Sequence, residues 1–224
     1  MKTYFSFPAT ATLALVAVLA ACDKGAAEKE GAAAAGAAST ASAEAPKPIG
    51  NKLKVTTSLG AFTLELLPDA APKTVENFKK WVGEGFYDGL IFHRVMPNFM
   101  IQAGGHYPDM SRKLFKGYVE NEADLAKAKG LTNTRGTISM AYSPGNPITG
   151  ANVQFFINVK NNPDLDFKEK TITGYGHCPF GRVVQGMDVV DKISLVRTKT
   201  INEHANVPVE PVTIDKIDDL SPGG

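Results

Sequence analysis

Cysteine is scarce in this 224-residue chain, which holds two, with four histidines and a single tryptophan. Two cysteines can build neither a disulfide framework nor a four-cysteine zinc site. His93, His106 and His204 show no metal-ligand spacing, so no metal is expected. An excess of charge is also missing. Lys plus Arg is 24 and Asp plus Glu is 23, a formal net charge of +1. Nucleic-acid binding needs a concentrated cationic surface, so no nucleic-acid partner is expected. Gly104-Gly105 alone is too little for a phosphate-cradling loop. What is present suffices for a packed core, since 43% of the residues are hydrophobic. The length allows one ordinary domain with appendages.

The composition shifts sharply near residue 50. Residues 9–21, ATATLALVAVLAA, form an apolar stretch of 13 residues behind a weakly basic start. That is short for a membrane span and suits the core of a signal peptide. It ends in Leu19-Ala20-Ala21-Cys22, which resembles the lipobox of bacterial lipoproteins, where the cysteine is lipidated and becomes the new N-terminus. Of the next 25 residues, 11 are alanine, and none larger than alanine is apolar. Such a segment has little to bury against its ordering entropy. The expected organisation is a signal peptide over 1–21, a disordered Ala-rich tether over 22–50 and one domain over 51–224. A flexible tether of this length spans about 29 Å r.m.s.. Membrane tethering through Cys22 and a periplasm-facing place in a bacterial envelope are the expectation. Several acyl chains on one cysteine would anchor it stably, whereas one would not.

From Asn51 the texture is that of a folded domain. Lys52–Thr56 and Phe62–Leu66 alternate polar and apolar residues around a turn at Ser58-Leu59-Gly60, which predicts a hairpin. Pro72–Glu84 carries Val75, Phe78 and Val82 at helical spacing, with Pro72 placed for a helix start. Apolar runs follow at Leu90–Met96, Phe99–Ala103, Gly136–Ala141, Val153–Val159 and Phe180–Val184. Met187–Val196 reads as a second helix and Val209–Ile217 as a last strand. The polar stretch Tyr107–Thr134 is expected outside the sheet. Many short strands with two helices predict a β-barrel or sandwich with helices covering it.

Two segments concentrate chemistry. Along a strand side chains alternate between faces. In Phe99-Met100-Ile101-Gln102, Met100 and Gln102 therefore share a face, and in the preceding run Phe92 and Arg94 share one. In Gln154-Phe155-Phe156, Gln154 and Phe156 share a face and Phe155 takes the other. One phenylalanine can then enter the core while its neighbour lines a surface pocket.

The blocks FHRVMPNFMIQAGG (92–105), GTISMAYSPGNPITGANVQFFINV (136–159) and PFGRVVQGMDVVDKI (179–193) resemble the cyclophilin-type peptidyl-prolyl cis–trans isomerases. The resemblance covers about residues 51–220, and blocks of this length are far more specific than a four-residue motif. It implies a mainly β fold, a closed eight-stranded antiparallel β-barrel capped by two α-helices. It implies Arg94 as the catalytic arginine. It implies substrate binding by Phe99, Met100 and Gln102, by the backbone near Ala141 and Tyr142, and by Gln154, Phe156, Leu165 and His177. It also implies a monomer that acts on proline-containing polypeptides without a cofactor. Two positions depart from the family pattern, Tyr142 where asparagine is frequent and Asp164 where many members carry tryptophan. The connection from Leu165 to His177 is longer than in compact members. The function expected is isomerisation of X–Pro bonds in exported or envelope proteins. The alternative is a non-catalytic chaperone module that binds proline peptides in the same groove. Cys178 reads as a free thiol.

Overall fold

The computed structural model describes residues 49–142 and 145–221, so the expected signal peptide, Cys22 and nearly all of the tether lie outside the described residues. Ile49 rests against the core, and the Gly50 amide donates to the Asp219 carboxylate at 2.8 Å.

Eight strands form one antiparallel sheet. They are β1 (Lys52–Thr57), β2 (Gly60–Leu66), β3 (Phe92–Met96), β4 (Met100–Ala103), β5 (Thr137–Tyr142), β6 (Ala151–Asn158), β7 (Pro179–Gln185) and β10 (Ile214–Asp219). The sheet order is β10-β1-β2-β7-β5-β6-β4-β3. Its edges share no continuous ladder. They meet in a seam, where Ile91 bridges Thr213 and backbone bonds join Leu90 to Ile214 and Phe92 to Val212. The expected barrel is thus a strongly curled sheet drawn together at that seam. A separate hairpin, β8 (Thr198–Ile201) with β9 (His204–Pro208), packs beside β3.

Among the described residues three α-helices accompany the strands rather than two: α1 (Pro72–Gly83), α2 (Ala123–Ala128) and α3 (Met187–Ser194). α2 sits in the polar stretch Tyr107–Thr134, which lies outside the sheet as expected. At six residues it is too short to show a sustained period. α1 buries Val75, Phe78, Trp81 and Val82 and has no side-chain cap of its own. Instead the buried carboxylate of Glu122 accepts from the backbone amides of Lys73 and Thr74 at 3.1 and 2.8 Å. That satisfies two orphan donors and places negative charge at the positive end of the helix.

The last strand starts five residues later than its apolar run and continues through Asp218 and Asp219. Pro211 has no amide to donate to a ladder, and the acidic end still pairs through its backbone with β1. Inside the curl, Phe78 lies 5.2–5.5 Å from the rings of Tyr87, Phe155 and Phe180. Each of these fully buried rings contributes about 1.5–3 kcal/mol. The Tyr87 hydroxyl donates to the Val153 carbonyl at 2.9 Å, so its burial leaves no polar atom stranded. Cys178 is a buried free thiol whose pKa burial pushes up to about 12, which makes it unreactive.

Candidate active site

A second, smaller apolar cluster lies outside the main core. Met100, Ala141 and Phe156 are its buried members, with Met96, Phe99 and Leu165 packed against them. Strand alternation produces it. Ile101, Ala103, Phe155 and Ile157 enter the main core, while Met100, Gln102, Gln154 and Phe156 stand on the outer face. Phe155 and Phe156 divide between core and pocket as the alternation predicts.

Arg94 reaches this face by a different route. Phe92 pairs with Ala103 but Arg94 pairs with Gln102, so β3 carries one extra residue, a β-bulge at His93. The bulge overturns the expectation that Phe92 and Arg94 share a face. Phe92 is buried in the core, and Arg94 turns outward. Ladder pairing then sets Arg94, Gln102, Phe156 and Ser139 in one row across β3, β4, β6 and β5. The hairpin from β3 to β4 is tight because Asn98 adopts φ 57°, a left-handed conformation that asparagine tolerates.

All ten residues proposed for catalysis or substrate binding line one cavity of about 490 Å³. They are Arg94, Phe99, Met100, Gln102, Ala141, Tyr142, Gln154, Phe156, Leu165 and His177. Arg112 and Asn152 line it too, and the sequence reading missed both. Asn152 lay in plain view, because its parity with Gln154 and Phe156 puts all three on one face of β6. Arg112 carried no such signal. It is brought in by a loop that folds back on Gly105 and His106, with the Lys113 amide donating to Gly105 O at 3.1 Å.

The polar side of the cavity is preorganised. Gln102 Nε2 donates to Gln154 Oε1 at 2.9 Å, which fixes both amides. Gly105 makes room for them, since a Cβ there would collide with the Gln154 amide. Half-buried Arg94 lies 5.9 Å from the Phe99 ring and donates to the Met96 sulfur at 3.2 Å. Among the described residues it has no carboxylate partner. Burial draws its pKa down, yet an arginine keeps its proton throughout the ordinary pH range. The site therefore holds a permanent, unpaired cation beside an apolar hollow.

The far wall is closed by Leu165 and His177. Eleven residues separate them, yet the His177 amide donates to Leu165 O at 2.8 Å and closes the loop at its base. Gly176 permits that approach, with φ +69° and backbone atoms of Leu165 and Asp166 within 2.7 Å of where a Cβ would stand. The loop above folds on itself and leans on α2, where Lys170 pairs with Asp124 at 2.8 Å. His177 stacks on Tyr142 at 4.2 Å and meets Phe156 edge-on at 5.1 Å. Burial lowers its pKa to about 4, so the ring is neutral at pH 7, and its Nδ1 is placed to donate to Met140 O at 3.2 Å. Asp164, by contrast, points into solvent.

Comparison with known proteins agrees with this geometry. Residues 52–219 match the family described as cyclophilin type peptidyl-prolyl cis-trans isomerase/CLD. Peptidyl-prolyl cis-trans isomerase cyp18 of Streptomyces antibioticus is 48% identical over 163 residues, 73% of this chain and 95% of that protein. Peptidyl-prolyl cis-trans isomerase B of Escherichia coli is 45% identical over 161 residues, 72% of this chain and 94% of that protein. A solved cyclophilin-type isomerase from Cryptosporidium parvum shares the fold with a TM-score of 0.61 at 22% identity, covering 77% of this chain and 98% of that one. With a single family spanning the curled sheet from β1 to β10, and relatives near half identity over almost their whole length, the chain belongs to the cyclophilin-type peptidyl-prolyl cis–trans isomerases.

Proposed function

We propose that this isomerase turns X–Pro bonds in exported proteins while tethered to a bacterial envelope, with Arg94 as its catalytic residue. The observation that carries the catalytic reading is the unpaired Arg94 guanidinium at the edge of the hollow formed by Phe99, Met100, Phe156 and Leu165.

Rotation about an X–Pro bond must break amide resonance, against a barrier of about 18–20 kcal/mol. Uncatalysed exchange takes about 10–100 s. As the bond twists, the proline nitrogen becomes pyramidal and regains its lone pair. A guanidinium donating to that nitrogen favours the twisted amide over the planar one. The enzyme thereby binds the transition state better than the ground state, with no covalent bond made and no proton transferred. One charge-assisted hydrogen bond contributes about 1.5–3 kcal/mol, whereas millisecond turnover needs about 6 kcal/mol. The remainder comes from the apolar hollow gripping the pyrrolidine ring, and from Gln102 and the strand backbone near Ala141 holding the chain while one end turns.

The test is exchange NMR of a short X–Pro peptide with the intact chain beside Arg94→Ala. The variant should lose about 10- to 100-fold in kcat/KM with an unchanged fold. Peptide binding without accelerated exchange in the parent would instead establish the non-catalytic chaperone module. The envelope reading is supported by the lipobox-like Leu19-Ala20-Ala21-Cys22 and the Ala-rich stretch behind it. Cys22→Ser should move the protein from the membrane fraction to the soluble one. A parent protein that is already soluble and unacylated would end that reading. A monomer in solution is part of the same proposal.

A further inference from the structure

The proline cavity has a neighbour. A second cavity, also of about 490 Å³, lies on the other side of the Gln102–Gln154 pair and shares Arg94 and Arg112 with the first. Its remaining wall includes a row of three imidazoles that the catalytic reading leaves unused. His93 comes from the bulge of β3, His106 from the loop after β4 and His204 from the start of β9. The ring centroids of His93 and His106 are 4.5 Å apart, and those of His106 and His204 are 5.2 Å apart. His93 and His106 are only 6% and 4% exposed. Among the described residues, His93 Nδ1 and both ring nitrogens of His106 have no hydrogen-bond partner. Buried polar atoms are nearly always partnered, and these three nitrogens lie just beneath the cavity wall with no bond holding them in place.

The cavity is also electropositive. Arg94 faces it from β3 and Arg112 from the loop after β4, while the one carboxylate lining it, Glu203, is exposed at the turn between β8 and β9. Burial first, and then the charges of His204 and Arg112, lower the pKa of His106 to about 4. Burial first, and then His106 and His204, lower that of His93 to about 3. Burial resists a charge of either sign, and it is the neighbouring positive groups, Arg112 beside His106 and Arg94 beside His93, that favour a negative one here. Among the described residues no such group is placed to hold a metal ion, so an organic anion suits the row better than a cation.

We propose that this second cavity is a subsite for an acidic side chain of the client polypeptide, carried by a residue close to the isomerising proline. The shared wall of Arg94, Gln102, Arg112 and Gln154 makes the two cavities neighbours along one bound chain. The client carboxylate accepts from the exposed Arg112 guanidinium, and the His106 ring, which has no hydrogen bond to break, turns to bring an N–H up to it. The inference rests on the isomerase reading above, and the experiment keeps the two apart.

Peptide pairs identical except for Glu or Gln are compared by exchange NMR with the intact chain, the changed residue placed in turn at the two positions before and the two after proline. At one of these positions kcat/KM for the Glu peptide should exceed that for the Gln peptide by about fivefold or more at low salt, and the ratio should shrink as salt is added. His106→Phe keeps the ring and its packing and removes both nitrogens. In it, and in Arg112→Gln at an exposed position, the ratio should fall towards one, while His106→Phe still accelerates an Ala-Pro peptide. A ratio near one at every position in the parent overturns the subsite, as does a ratio that survives both substitutions. So does inorganic phosphate binding in the row without any Glu preference, because the anion is then free rather than part of a client. If no peptide is accelerated at all, the isomerase reading is what fails. The subsite is then decided by the Glu-against-Gln difference in peptide Kd, titrated on the same samples.

Discussion

Asn133 does not line the proline cavity, yet it holds the cavity's far wall together. It is 1% exposed. Its Nδ2 lies 3.1 Å from Leu165 O and 3.2 Å from His177 O, and its Oδ1 accepts from Ser139 Oγ at 2.7 Å. Asn162 extends the same network, donating to Phe99 O at 2.9 Å and to Asn158 Oδ1 at 2.7 Å. Asn158 in turn donates to Asn133 Oδ1. One connected set of buried amides therefore fixes Phe99, Leu165 and His177 relative to one another, and buried networks are costly when a member is lost. Asn133→Ala should reduce stability by about 2–4 kcal/mol in urea unfolding, because several backbone and hydroxyl groups lose their partner inside the protein. Among folded molecules the wall loosens around planar and twisted amide alike. That is uniform binding, so KM should rise several-fold while kcat falls little. An unchanged KM would show that the wall is held without Asn133.

At the scale of elements, what was legible depended on how regular each strand is. β4 and β6 are unbroken across the site, so simple alternation correctly put Met100 with Gln102 and Gln154 with Phe156 on shared faces and Phe155 on the other, while the resemblance named the pocket face. β3 is broken by one residue at His93. A bulge leaves no mark in a hydrophobic pattern, so alternation wrongly paired the faces of Phe92 and Arg94. Arg94 was found through the resemblance of its block, not through periodicity. The same irregularity brings His93 to the second cavity, so one inserted residue shapes both sites. α2 is six residues long and packs only Ala123 and Ala126, too few for a periodic signal. The β8–β9 hairpin turns at Asn202, with φ 52°. Only Val207 and Pro208 of its strands are buried, side by side rather than alternating, so no alternation announced them. Arg112 belongs to a polar loop whose path is set by backbone bonds to Gly105. Long-range pairing, which a local pattern does not encode, accounts for these misses.

Over the whole molecule, three histidines held neutral make stability depend on pH in one direction. Burial sets the pKa of His93 at about 3 and those of His106 and His177 at about 4, against an ordinary 6.5. Between those values and 6.5 the unfolded chain binds protons that the folded chain does not. Their contribution is therefore complete above about pH 6.5 and is lost as pH falls through that point towards 4. At pH 5 each histidine costs about 1–2 kcal/mol relative to pH 7.5. Three of them consume a large part of a typical margin of about 5–15 kcal/mol. The midpoint of urea unfolding should fall steadily from pH 7 to pH 5, and His106→Phe should flatten that slope. Catalysis should not follow it. Arg94 does not titrate in this range, and His177 stays neutral down to its own pKa, so kcat/KM per folded molecule should be level from pH 6 to 9. A bell-shaped rate profile there would mean that a titrating group takes part in the chemistry, and a mechanism built on a permanent guanidinium charge would have to be given up.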